Sequence, residues 1–182
     1  MITLGVIADT HVPDRRRSLD RRALDIFQAA GVSEILHAGD VSTPRVLSEL
    51  EQLAPVHAVR GNRDWLALSN LPFQRSLVYA GIKVGLTHGH GRWWDYLLDR
   101  VEYLTRGYRL EMFQPRLLET FPDARVIVFG HTHRPLNRWV QGVLLFNPGS
   151  PHNPDIKSLT PSVGLLRIQD GGEIAGEIID LV

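Results

Sequence analysis

The chain has 182 residues, 43% apolar and 22% charged, which suits one domain with a sizeable core and excludes a disordered chain. Twenty basic side chains balance twenty acidic ones, so net charge does not point to nucleic acid as a partner, although it leaves one open. The lack of cysteine excludes a disulfide framework and a thiolate metal site. No apolar run approaches the roughly 20 residues of a membrane span, and the start MITLGVIADTHVP lacks a basic leader and a small-residue cleavage site; a cytoplasmic protein with no membrane contact is expected.

Ile2 to Ala8 is a nearly continuous apolar run, the pattern of a buried strand. Leu19, Ala23, Ile26, Phe27 and Ala30 recur at helical spacing, with Gly31 as the stop. Ile35 to Ala38 reads as a second strand, ending at Gly39-Asp40. Thr43-Pro44 predicts a helix start, with Thr43 as N-cap and Pro44 in the first turn. Pro55 to Arg60 is a third strand, ending at Gly61-Asn62. This β-α-β-α-β order favours a mostly parallel sheet covered by helices.

Phe73 to Tyr79 and Ile82 to Thr87 predict a hairpin across Ala80-Gly81. Trp94, Leu97, Leu98, Val101 and Leu104 predict an amphipathic helix, and a second helical stretch is expected over about Met112 to Glu119. Arg125 to Phe129 is another strand. Leu136 to Val140 with Val143 to Phe146, and Val163 to Ile168 with Ile174 to Ile179, predict two more hairpins. Residues 151–161 form the longest loop. The expected fold is α/β, two packed sheets flanked by helices, with residues 1–182 as a single domain that includes a helical segment over 91–121.

The strand ends carry chemistry. They deliver Asp9-Thr10-His11, Gly39-Asp40, Gly61-Asn62, His88-Gly89-His90 and Gly130-His131-Thr132-His133. In open α/β sheets, sites form beyond the carboxyl ends of the strands. Carboxylate and imidazole together suit Mn, Fe, Zn or Ni better than calcium. One carboxylate can bridge two cations, and two metals about 3.5–4 Å apart can clamp an in-line phosphoryl transfer.

This ordered series, D-x-H, G-D, G-N, H-G-H and G-H-T-H, resembles the calcineurin-like metallophosphoesterase family over about residues 2–150. Asn147-Pro148-Gly149-Ser150 further resembles its compact bacterial and archaeal phosphodiesterases. The resemblance implies a two-sheet α/β/β/α sandwich with a dimetal site at the strand C-terminal ends. It implies Asp9, His11, Asp40 and His133 on one metal, and Asp40, Asn62, His88 and His131 on the other, with Asp40 bridging. Two divalent ions are expected, Mn first, with Ni, Fe and Zn as alternatives. The implied reaction is hydrolysis of a small phosphoester, a phosphodiester before a phosphomonoester. A hydroxide between the metals attacks phosphorus in line, with no covalent enzyme intermediate. The alternative is a metal-binding or protein-interaction scaffold of the same fold with little activity, as in the retromer scaffold subunit. Self-association is left open.

One departure stands out. Many family members have His after the Gly-Asn pair, where it assists the leaving group; this chain has Arg63. Arginine stays protonated and is a poor general acid, but its fork binds phosphate. His90 is a candidate replacement, or a residue that only supports the ligands. Asn62, Arg63 and His90 are the candidate catalytic residues.

Elsewhere, Asp14 to Arg22 holds five arginines against two aspartates and reads as a solvated loop and first helical turn, with Arg16, Arg17 and Arg134 as candidate phosphate contacts. Trp94 suits packing, Trp93 is open, and with Tyr96, Tyr103 and Tyr108 they make 91–121 the place to look for substrate specificity. His37 is expected to be structural or to support a ligand, since a ligand carboxylate often accepts a hydrogen bond from such a neighbour. His57 is expected to have no chemical role, His152 to lie in a loop near the site, and Asn147 to support the site backbone.

Overall fold

The computed structural model describes residues 1–64, 68–91, 109–152 and 159–182. One sheet holds β1 (Ile2–Ile7), β2 (Glu34–His37), β3 (Val56–Ala58), β9 (Ser162–Ile168) and β10 (Ile174–Asp180) in the order β10-β9-β1-β2-β3. The other holds β4 (Gln74–Tyr79), β5 (Ile82–Thr87), β6 (Val126–Val128), β7 (Leu136–Val140) and β8 (Val143–Asn147) in the order β4-β5-β6-β8-β7. Strands β1, β2 and β3 run parallel, as do β5, β6 and β8, while β9, β10, β4 and β7 join antiparallel.

Alternation along the strands explains the layers. Val6, Leu36, Val84, Val126, Val128 and Phe146 meet between the sheets. Ile7 and Ile35 point the other way, under α1 (Arg21–Ala30) and α2 (Pro44–Leu50), against Phe27, Val46 and Leu50. Ile127 and Leu145 likewise turn outward, against Leu117 and Phe121 around α3 (Gln114–Thr120). The expected α/β/β/α sandwich is therefore the observed one. Each buried aliphatic side chain contributes about 1.5–3 kcal/mol, so the strands are firm mounts for the residues at their ends.

Local chemistry sets the boundaries. Asp20 caps α1 by accepting from Arg22 N at 3.0 Å, so the helix starts after Leu19 rather than at it. Gly31 ends α1 at φ 59°, a left-handed C-cap that glycine adopts without penalty. Thr43 takes the N-cap place of α2, but its side chain makes no capping hydrogen bond. Ala80-Gly81 and Gln141-Gly142 have positive φ at both positions, which matches the twist of tight hairpins. The second helical stretch is split: a 3-10 turn over Leu110–Met112 precedes α3. The helix expected around Trp94 to Leu104, with Trp93, Tyr96, Tyr103 and Tyr108, lies outside the described residues. Among the described residues no helix is long and apolar enough to cross a membrane.

Candidate metal centre

The carboxyl ends of β1, β2, β3, β5 and β6 converge, and the backbone there is unusual. Asp9, His11, Asp40, His131 and His133 have φ of 53°, 48°, 53°, 68° and 55°. Non-glycine residues rarely occupy this left-handed region, at a cost of order 1–3 kcal/mol each, and they cluster where function requires them. His131 and His133 therefore do not share one side of an extended backbone, as a two-residue spacing suggests. Gly130 is not in the left-handed region. A Cβ on it would lie 2.8 Å from Ala38 O and 2.9 Å from Asp9 Oδ2, so glycine is needed there for close approach rather than for turning.

Asp40 stands between two groups of donors. Its Oδ2 lies 3.7 Å from His11 Nε2, and its Oδ1 lies 3.5 Å from His88 Nε2. On the first side, His11 Nε2 and His133 Nε2 approach to 3.1 Å, and His133 Nε2 is 3.4 Å from Asp9 Oδ1. On the second, Asn62 Oδ1 lies 3.0 Å from His88 Nε2 and 3.1 Å from His131 Nδ1. Asp9 Oδ1 is 4.0 Å from both His11 Nε2 and His88 Nε2, so it borders both sides. Asp9, His11 and His133 form one group that could hold a metal ion; Asp9, Asp40 and His88 form another.

The electrostatics fit cations. Asp9 is fully buried, yet neither of its carboxylate oxygens accepts a hydrogen bond among the described residues. Burying a carboxylate without donors is costly, and a cation relieves that cost. Burial alone would raise the Asp9 carboxyl, but the nearby His133, His88 and His11 outweigh it and hold it below the usual range. Burial pushes Asp40 up to about 6; the Asp9 charge adds to this, while His88 and the Arg63 N–H oppose it. Burial lowers His11 to about 3 and holds His131 well below the ordinary value. A neutral imidazole is the form that ligates a metal.

Buried polar groups hold the loops. His88 Nδ1 meets Ala38 O at 2.7 Å, which turns Nε2 toward Asp40. Asn147 Nδ2 donates to Gly130 O at 2.8 Å and to Thr132 Oγ1 at 3.1 Å, as expected of a residue supporting the site backbone. His37 Nε2 meets Thr10 Oγ1 at 3.2 Å rather than a ligand carboxylate. Two further residues contribute, neither given a role of its own by the sequence. Asp64, 1% exposed, accepts from Ser42 N at 2.7 Å and Gly61 N at 2.8 Å, tying the loop after β2 to the loop after β3. Ser150 Oγ donates to Asp9 O at 2.8 Å. Asp64 directly follows Arg63 in GNRD, and that adjacency was its only sequence signal.

Arg63 donates its backbone N–H to Asp40 Oδ1 at 2.8 Å and leaves its side chain exposed at the mouth. Arg15, rather than Arg16 or Arg17, is the arginine of the basic run whose charge, with that of Arg63, reaches His11. Arg22 pairs with Asp20 at 2.8 Å. Arg134 is half-buried, its N–H 3.3 Å from Thr132 Oγ1. His90 sits beside two candidate ligand imidazoles, its ring centroid 5.3 Å from that of His88 and 6.2 Å from that of His131. Burial lowers His90 to about 4, helped by His88, Arg116 and Arg60. His152 is buried, with its carbonyl 2.6 Å from Ser150 Oγ, whose one hydrogen is shared between it and Asp9 O. His57 lies apart, paired with Glu34 at 2.8 Å.

Known proteins share this frame. The calcineurin-like phosphoesterase superfamily domain matches residues 2–171. A probable metallophosphoesterase of Methanothermobacter thermautotrophicus is 40% identical over 176 residues, which is 97% of this chain and 91% of that one. A phosphodiesterase of Methanocaldococcus jannaschii is 27% identical over 80% of this chain and 82% of its own. Among solved structures, wild-type Vps29 of Entamoeba histolytica complexed with zinc has a TM-score of 0.73 at 25% identity, covering 98% of this chain and 99% of that one.

Proposed function

The chain belongs to the calcineurin-like phosphoesterase superfamily, and on that premise we propose that it hydrolyses phosphate esters, phosphodiesters before monoesters, with two divalent metal ions. The observation behind this reading is the placement of Asp40, whose two oxygens face His11 at 3.7 Å and His88 at 3.5 Å. Asp9, His11, Asp40 and His133 would hold one ion. Asp40, Asn62, His88 and His131 would hold the other, with Asp40 shared. Bound metals supply an activated water near neutral pH and polarise the phosphoryl oxygens. Mn is the favoured ion, with Ni, Fe and Zn as alternatives that the same oxygen and nitrogen donors accept.

The chain's own residues do the rest. Asn62 adds an uncharged oxygen, which limits the negative charge that an anionic substrate meets. Arg63, exposed beside Asp40, would grip a non-bridging phosphoryl oxygen through its guanidinium. Because arginine is a poor acid, His90 is left as the candidate to donate a hydrogen bond to the leaving oxygen. Esters with good leaving groups are the expected substrates, small molecules met in the cytoplasm.

The test pairs metal analysis with hydrolysis of a monoester and a diester of one chromogenic alcohol, run with Mn, Ni, Zn and Mg. Faster turnover of the diester supports the reading. Full metal loading without turnover of either would sink it and leave the scaffold alternative. His90→Ala that hydrolyses alkyl esters at the wild-type rate would remove His90 from the leaving group.

A further inference from the structure

Beside the candidate centre opens a cavity of about 750 Å³, within the ~300–1,000 Å³ usual for small-molecule sites. Its described lining includes Phe73 just before β4, Thr87 at the end of β5, His90, and Arg116, Leu117 and Thr120 of α3. Arg116 Nη2 donates to Gly89 O at 2.8 Å, so α3 is tied to the loop that carries His88 and His90.

His90 is the joint between the cavity and the centre. Its ring lies 5.3 Å from that of His88 and 6.1 Å from that of Phe73. A substituent on a phosphate held at the centre, directed past His90, therefore meets Phe73. That side chain is 58% exposed, and the Arg60 guanidinium sits 5.3 Å over its ring. Backing from Arg60 keeps the ring in place while much of it stays open. Both threonine hydroxyls of the wall are engaged with backbone: Thr87 Oγ1 lies 3.4 Å from Phe73 O and accepts from Gly89 N at 3.3 Å, and Thr120 Oγ1 donates to Arg116 O at 2.7 Å. What the wall offers is an aromatic ring beside an aliphatic side chain, the surface that a planar ring fits.

We propose, resting on the phosphoesterase reading above, that this cavity receives a planar aromatic ester arm of the substrate, with Phe73 as its stacking face. The substrate class is then a phosphoester of an aryl or nucleobase-bearing alcohol rather than of a small aliphatic one. Phe73 sets specificity and takes no part in the chemistry.

The test is calorimetric titration of the metal-loaded protein with phenyl phosphate and with methyl phosphate, which needs no turnover. Wild type is expected to bind phenyl phosphate about tenfold more tightly, the scale of one aromatic contact. Phe73→Ala is expected to bring the two affinities together without changing that for methyl phosphate, and Phe73→Tyr to restore the preference. Equal affinities in wild type, binding of neither ligand, or a preference that survives Phe73→Ala would each overturn the proposal. A protein that shows the preference but hydrolyses no ester would remove the phosphoesterase reading alone.

Discussion

On one side of Asp40, His88 is oriented by its Nδ1 contact with Ala38 O at 2.7 Å, and Asn62 Oδ1 reaches both His88 and His131 within 3.1 Å. On the other, Asp9 accepts no hydrogen bond at either carboxylate oxygen among the described residues, and His11 Nδ1 has no partner there. The first group of candidate ligands is aligned by hydrogen bonds and can hold its geometry without a cation. The second has one such contact, His11 Nε2 to His133 Nε2 at 3.1 Å, and is otherwise aligned by burial and by left-handed backbone at Asp9, His11 and His133. Such an arrangement fixes positions but leaves charge for a cation to neutralise. Equal numbers of donors on the two sides therefore do not mean equal dependence on metal.

The largest test removes the carboxylate proposed to be shared. Asp40→Asn is expected to lower activity by more than the ~10–100-fold typical of a lost supporting residue, read as kcat/KM with added metal. The same change should stabilise the metal-free protein at pH 7. Burial raises the Asp40 carboxyl from 3.8 to about 6, so the folded state holds its proton more tightly than the unfolded chain does. That contribution is full below the unfolded value and lost as pH rises through 6, which makes the charged form a liability at pH 7, by on the order of 1–3 kcal/mol. Thermal melts of the two metal-free proteins between pH 4 and 7 check the sign; curves that do not converge toward pH 4 would contradict it.

Next in size, Asp64→Ala leaves Ser42 N and Gly61 N without their acceptor. Metal affinity is expected to fall ~10–100-fold. Stability should fall by about 1–3 kcal/mol, as for buried donors left unpaired. Metal titration and denaturant melts measure the two losses. Chelation compares the sides directly. Amide hydrogen exchange around Asp9 to Val12 is expected to rise by about tenfold or more on metal removal, and less around His88. Equal increases would erase the distinction. The smallest effect belongs to Trp139→Ser, on the exposed face of β7 away from the ligands. A change within about 0.5 kcal/mol and unaltered metal affinity are expected.

Much of this centre was legible because strand and ligand share a local code. An apolar run, a glycine and a metal-compatible side chain recur in one short window, as in Val126 to His133, and the window needs no distant partner to be read. Asp64 and Ser150 were not legible for the opposite reason. Each looks like an ordinary loop residue until another loop supplies its partner: Ser42 for Asp64, the Asp9 carbonyl for Ser150. For His37 the sequence left a structural or a supporting place, and only the fold sets its ring against Thr10, since strand position fixes where a side chain starts and not which neighbour it meets. Composition marked the arginine run, and only the folded structure shows that the charge of Arg15 reaches His11.

By itself, the sequence determined the two hydrophobic periods, hence the strands and described helices, and the set of oxygen and nitrogen donors at the strand ends. Those follow from side-chain chemistry and nearest-neighbour geometry, which a linear chain already contains. Tertiary structure decided which donors face each other, that five of them sit on left-handed backbone, and that Gly130 is there for closeness rather than turning. It also decided that Phe73, which the sequence placed at the start of a strand, stands exposed just before that strand at a cavity next to His90. Distances between loops depend on how two sheets pack, and that is a property of the whole core rather than of any window of the sequence.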